Sequence, residues 1–203
     1  MLTKISTRFH RWAQGWRIAT LLAVFVVFEG ITVPLLRHSP GGTLAPLDAR
    51  FFYLPAEAYS TVEAYGDARS FWIGAYLTWD VVNPVLYTLL LSLSISWLFQ
   101  RSVGTQSRLQ KLNLVPLGAG LCDILENVSI VTLLGAYPLR LTAIAWLATL
   151  LTMSKVAFFG GSVALILLGV IKAATNRCWK IVVTATTASS EEAAQQGDEA
   201  DRA

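Results

Sequence analysis

The sequence predicts an all-α polytopic membrane protein, a bundle of four transmembrane helices, and three observations carry that prediction. Four apolar stretches, residues 17–36, 71–98, 112–136 and 141–171, are each long enough to cross a bilayer. A hydrocarbon core of ~30 Å needs about 20 helical residues to span it. The composition agrees: 54% of residues are apolar, only 14% are charged, and the mean hydropathy is +0.53. These values lie far from those of a soluble domain. Finally, the basic residues collect at the span ends. A net charge of +3 with a pI near 9.0 therefore reads as a topology signal, and no aromatic-basic module accompanies it that would suggest a nucleic-acid partner.

Residues 1–16 come before the first span. Leu2, Ile5, Phe9, Trp12 and Trp16 recur at spacings of three and four, with Lys4, Arg8 and Arg11 between them. This is the pattern of an amphipathic helix lying in the membrane interface, anchored on anionic headgroups. The first span, 17–36, contains Glu29 and runs on to Thr32-Val33-Pro34. Its length, its acid and the lack of a small-residue cleavage site argue against a removed signal peptide.

The loop 37–70 is expected outside the membrane. Ser39-Pro40-Gly41-Gly42 is flexible, and a strongly aromatic segment follows it. Pro55 is placed to open a short helix and Gly66 to close it, with Leu54, Ala58, Tyr59 and Val62 as its apolar side. We read it as a lid over the bundle mouth, with Phe51, Phe52 and Tyr53 anchored at the interface. An aromatic tether in the headgroup layer is the alternative.

The second span places Tyr76, Asp80, Asn83 and Tyr87 on one stripe, beside Pro84. The third puts Gly120, Asp123, Glu126 and Asn127 on one face, next to the small residues Gly118 and Ala119, which leave room for close helix packing or for a ligand. The fourth carries Lys155. Its side chain leans toward the helix N-terminus, toward the depth of the acids. Residues 173–203 form a flank, with Lys172 just before it and Arg177 and Lys180 at its start, then a stretch without large apolar residues that is expected to be a disordered tail.

Basic residues in the N-terminal segment, in the connection between spans two and three (Arg101, Arg108, Lys111) and in the C-terminal flank place both termini in the cytoplasm by the positive-inside rule. Cys122 lies within the third span and Cys178 beyond the end of the fourth, so no disulfide framework is expected. No zinc spacing, phosphate loop, nucleophile elbow or paired-histidine motif occurs, so neither a metal site nor a cofactor is expected. His10 and His38 fall outside the spans and are assigned no chemistry.

Glu29, Asp80, Asp123, Glu126 and Lys155 inside the spans are the functional hypothesis. Two acids and an asparagine cost the third span roughly 6–9 kcal/mol on an insertion scale, and its aliphatic residues return about 4–7 kcal/mol. That edge must turn inward, where Lys155, Asn83, Tyr76 and Tyr87 can satisfy it. Four acids against one lysine leave surplus negative charge, relieved by protonation, a bound cation, a cationic ligand or entering water.

The leading expectation is a pocket formed by Glu29, Tyr76, Asp80, Asn83, Tyr87, Asp123, Glu126, Asn127 and Lys155 that binds a small cationic, lipidic or protonatable ligand. Three alternatives stay open: an enzyme doing acid–base chemistry on a lipid or isoprenoid with Asp80 and Asp123 or Glu126, a cation- or proton-coupled transporter acting as an oligomer, and a structural membrane subunit. Membrane lipids are the expected partners, with a further copy or subunit left open.

The segments APLDARFFYLPAEAY, LTWDVVNPVLY, LNLVPLGAGLCDILENV and LLTMSKVAFF resemble a widespread group of uncharacterised bacterial four-span integral membrane proteins. The resemblance covers most of residues 17–172 and implies an integral protein of the inner membrane. It implies no activity.

Overall fold

The computed structural model describes residues 2–44, 46–103 and 107–200, with side chains as far as Asn176. The described residues form six α-helices: α1 (Leu2–Trp12), α2 (Gly15–Arg37), α3 (Pro55–Ala64), α4 (Arg69–Ser102), α5 (Val115–Ala136) and α6 (Thr142–Ala200). Short 3₁₀ turns at Leu47–Ala49, Gly66–Ala68 and Arg108–Leu114 join them, and the described residues contain no strand. Four helical stretches, Gly15–Arg37, Gly66–Ser102, Arg108–Ala136 and Thr142–Asn176, are long and apolar enough to cross a membrane. The protein is therefore an all-α four-helix membrane bundle.

α4, α5 and α6 form the tight part of the bundle, and α2 packs mainly against α4. Small residues decide how close the three central helices come. A Cβ at Gly118 would sit 2.8 Å from the Phe158 ring, and one at Gly120 would collide with Thr88. Of the two uses open to the small-residue stretch, the structure takes close helix packing, because ring and hydroxyl fill the space that the missing side chains leave.

Two interior prolines are accommodated differently. Pro34 lies in the last turn of α2, where a lost amide matters least, while Pro84 sits in the middle of α4. Pro84 is fully buried against α5 at the level of Gly120, so the backbone groups it frees are shielded by protein rather than by lipid.

The lid packs down onto the bundle. Leu47, Tyr53, Ala58 and Val62 are fully buried in one cluster with Trp72, Tyr76, Leu133 and Ala148. α3 starts at Pro55 and is capped by Glu57, whose Oε2 accepts the Leu54 amide at 2.7 Å. It ends before Gly66, whose φ of +50° suits glycine. Two details differ from the sequence reading. Tyr53 does not share the interface with Phe51 and Phe52: it is fully buried, while both phenylalanines stay exposed. Leu54 is 45% exposed and does not join the apolar side of α3. The chain is extended at Leu54, so side chains alternate, and turning Tyr53 inward turns Leu54 out.

α1 is held by protein as well as by its amphipathic pattern. The Ser6 hydroxyl donates to Asn113 Oδ1 at 2.8 Å, and Asn113 Nδ2 donates to Ser96 Oγ at 2.8 Å and to the Ser6 carbonyl at 3.2 Å. His10 Nε2 lies 3.1 Å from the Gln110 carbonyl oxygen, and Gln100 Nε2 donates to the His10 carbonyl at 2.7 Å. His10, given no role from sequence, is thus a docking contact. At the other end, the helical backbone of α6 continues from the fourth span to Ala200, where a disordered tail was expected. Alanine, glutamate and glutamine in that stretch are good helix formers.

Candidate functional site

The polar centre is built where α4, α5 and α6 meet beneath the lid. α5 supplies Asp123, Glu126 and Asn127 from one face, all buried. Lys155 of α6 lies between the two acids, its Nζ 2.6 Å from Glu126 Oε2 and 3.3 Å from Asp123 Oδ1. It also donates to the carbonyl of Asp48, at 3.4 Å. The remaining carboxylate oxygens are served from either side: Tyr87 donates to Asp123 Oδ2 at 2.9 Å and Thr152 to Glu126 Oε1 at 2.5 Å. Both acids of the third span are therefore satisfied by protein. One cation and two hydroxyls offset the desolvation of two carboxylates.

Asp80 is different. Asn127 Nδ2 donates to its backbone carbonyl at 2.9 Å, but its carboxylate oxygen Oδ2 is buried with no partner among the described residues. Asp80 borders a cavity of about 50 Å³, enclosed by Leu36, Pro46, Asp48, Trp72, Ala75 and Tyr76. Tyr76 donates to Asp48 Oδ1 at 2.7 Å. Two carboxylates, Asp48 and Asp80, thus share the walls of one small cavity under the lid. The structure separates the acids into a pair bridged by Lys155, whose one positive charge offsets one of the two carboxylates, and a pair lining this cavity.

Further acceptors near that pair lack protein partners. Asn83 Oδ1 and Asn127 Oδ1 are buried without one, as are Glu29 Oε1 and Thr32 Oγ1 on α2. Helix register puts Glu29 near the level of Asn83, since Phe25 packs with Tyr87 and Leu91 while Leu36 lies against Trp72. Glu29 is half-buried and makes no hydrogen bond or ion pair with the other members of the set among the described residues.

Of the nine residues singled out from the sequence, the structure ties Tyr87, Asp123, Glu126 and Lys155 directly together and brings Asn127 against Asp80. Tyr76 serves the lid and not a span carboxylate. Asn83 and Glu29 border the set without bonding to it.

Sequence reasoning missed Asp48, Thr152, Thr149 and the inward turn of Tyr53. Thr149 donates to the Tyr53 carbonyl at 2.8 Å, one turn of α6 before Thr152. A Thr-x-x-Thr-x-x-Lys spacing on the fourth span was the available signal, since it sets all three side chains along one face. Burial pushes the Tyr53 phenol up to about 12, and burial together with the charge of Asp48 does the same for Tyr65. Both phenols therefore stay neutral at physiological pH.

Fold and site together define a four-span helical bundle with a lysine-tied acidic centre under an aromatic lid. No protein-family model, curated protein or solved structure matches the chain.

Proposed function

We propose that the protein binds a small cationic or protonatable ligand in its membrane-embedded polar site, at the cavity between Asp48 and Asp80. One observation carries the reading: Asp80, whose carboxylate oxygen Oδ2 is buried without a protein partner, lines a small cavity together with a second acid, Asp48. A buried carboxylate of this kind is neutralised by a proton or by a positive ligand.

Size narrows the class. A cavity of about 50 Å³ has room for waters, a hydronium or a small cation. Sites for drug-sized ligands run from roughly 300 Å³ upward. The lipidic form of the ligand and the reading of acid–base chemistry on a lipid or isoprenoid therefore find no support in the cavity. The role of a purely structural subunit fits Asp123, Glu126 and Lys155, whose bonds are complete, but leaves the Asp48–Asp80 wall without a purpose.

The placement we propose is a bacterial inner membrane, in agreement with the family resemblance, with both termini cytoplasmic and the lid outside. The basic bias of residues 4–17, 101–111 and 172–180 supports it. The cavity would then open toward the lid face.

Difference infrared spectroscopy of the purified protein, with pH varied and with sodium, ammonium or methylammonium added, tests the binding. We expect a protonated-carboxyl band that disappears on raising pH or adding one of these cations in wild type and is missing in Asp80→Asn. A spectrum indifferent to pH and to all three cations, or one that Asp80→Asn leaves unchanged, overturns the proposal.

A further inference from the structure

At the opposite end of the bundle from the lid, the start of α2 and the neighbouring part of α4 enclose a groove of about 510 Å³. Its floor is aliphatic, formed by Leu21, Val24 and Leu93, and its mouth carries Trp12, Trp16 and Arg17. Arg17, Leu21 and Val24 recur at spacings of four and three on α2, so the groove runs along the helix axis for about 10 Å at ~1.5 Å per residue.

Arg17 is the unusual member. Its guanidinium lies 5.8 Å from the Trp12 ring and 5.3 Å from the Trp16 ring, yet it makes no hydrogen bond or ion pair among the described residues. Both rings lie within cation–π distance of the guanidinium, and its N–H donors have no partner among the described residues. Both indoles are more than half exposed, at 56% and 65%, at the end of a span where tryptophan belongs in the headgroup layer. Trp16 is itself fixed by donating its indole N–H to Gln14 Oε1 at 2.8 Å.

We infer that this groove is a binding site for an anionic phospholipid: one acyl chain lies along Leu21, Val24 and Leu93, and the phosphate takes the Arg17 fork between the two tryptophans. Charge complementarity selects the occupant. The mouth offers a fixed cation and no acid, so a headgroup of net negative charge gains from it, whereas the ammonium of a zwitterionic headgroup offsets part of that gain. The site lies far from the lid cavity and does not depend on the function proposed there.

The test is native mass spectrometry of the full chain released from nanodiscs of equal phosphatidylglycerol and phosphatidylcholine, with circular dichroism confirming the fold of each variant. We expect wild type to retain phosphatidylglycerol over phosphatidylcholine by about tenfold, the factor that roughly 1.4 kcal/mol from one charge-assisted contact supplies. Arg17→Gln, which removes the phosphate contact, and Val24→Trp, which fills the groove from an exposed position, should each abolish the preference. Arg37→Gln, which removes an exposed charge at the far end of α2, should keep it. Excess soluble glycerol phosphate should leave the bound lipid in place, because the acyl chain supplies part of the affinity. Equal retention of both lipids, displacement by glycerol phosphate, or equal losses in Arg17→Gln and Arg37→Gln overturn the inference.

Discussion

Lys155 holds the centre of the bundle through two carboxylates at once. Replacing it by methionine strands Asp123 and Glu126 without their cation, and breaking a buried pair typically costs about 3–5 kcal/mol. Because Glu126 is the nearer partner and is fully buried, Lys155→Met combined with Glu126→Gln should recover a large part of that loss, as followed by thermal unfolding in detergent. A double variant no more stable than the single one would make Asp123 the energetically dominant partner. Asp80 should behave in the opposite way. Its carboxylate has an oxygen without a protein partner, so Asp80→Asn should leave stability unchanged or raised while removing the response to cations. The residue types at all these positions were legible from the sequence, since helical spacing alone puts Asp80 on one stripe and Asp123 with Glu126 on another. Which acid Lys155 would neutralise was not, because one residue of axial sliding or rotation between α5 and α6 changes the partner.

At the scale of elements, two attachments are open to test. The lid is held by the buried Tyr53 ring and by the bond from Thr149 to the Tyr53 carbonyl. Tyr53→Ala should cost about 3–5 kcal/mol through the cavity it leaves, whereas Phe51→Ala, at an exposed position, should cost under about 0.5 kcal/mol. Tyr53→Phe, which keeps the buried ring, should cost far less than Tyr53→Ala. The N-terminal helix provides the second case. Asn113→Ala removes the side chain that joins Ser6 to Ser96, and hydrogen exchange in residues 2–12 should accelerate while that in α5 does not. The amphipathic pattern disclosed the helix α1 itself. It carried no hint of the Ser6–Asn113 contact, which joins residues more than a hundred positions apart, and polar residues near a span end look alike whether they face water or one another.

At the scale of the whole molecule the prediction is topological. A reporter fused after Ala203 should read as cytoplasmic, and a tag inserted between Gly41 and Gly42 should be labelled from outside intact cells. External labelling of the C-terminus would reverse the proposed orientation and would turn the Asp48–Asp80 cavity toward the cytoplasm. The four helical crossings were fixed by the sequence itself, because a bilayer imposes a length and demands internally satisfied backbone, and any stretch of twenty apolar residues meets both conditions only as a helix. The inward turn of the polar edge of α5 followed from the same solvent, since its acids could not face lipid. Which carboxylates would be tied to the lysine and which left facing a cavity was decided only by the tertiary structure. Those pairings depend on how closely Gly118 and Gly120 let the helices approach and on how far the lid carries Asp48 over α4, and both are set by packing between segments distant in the chain.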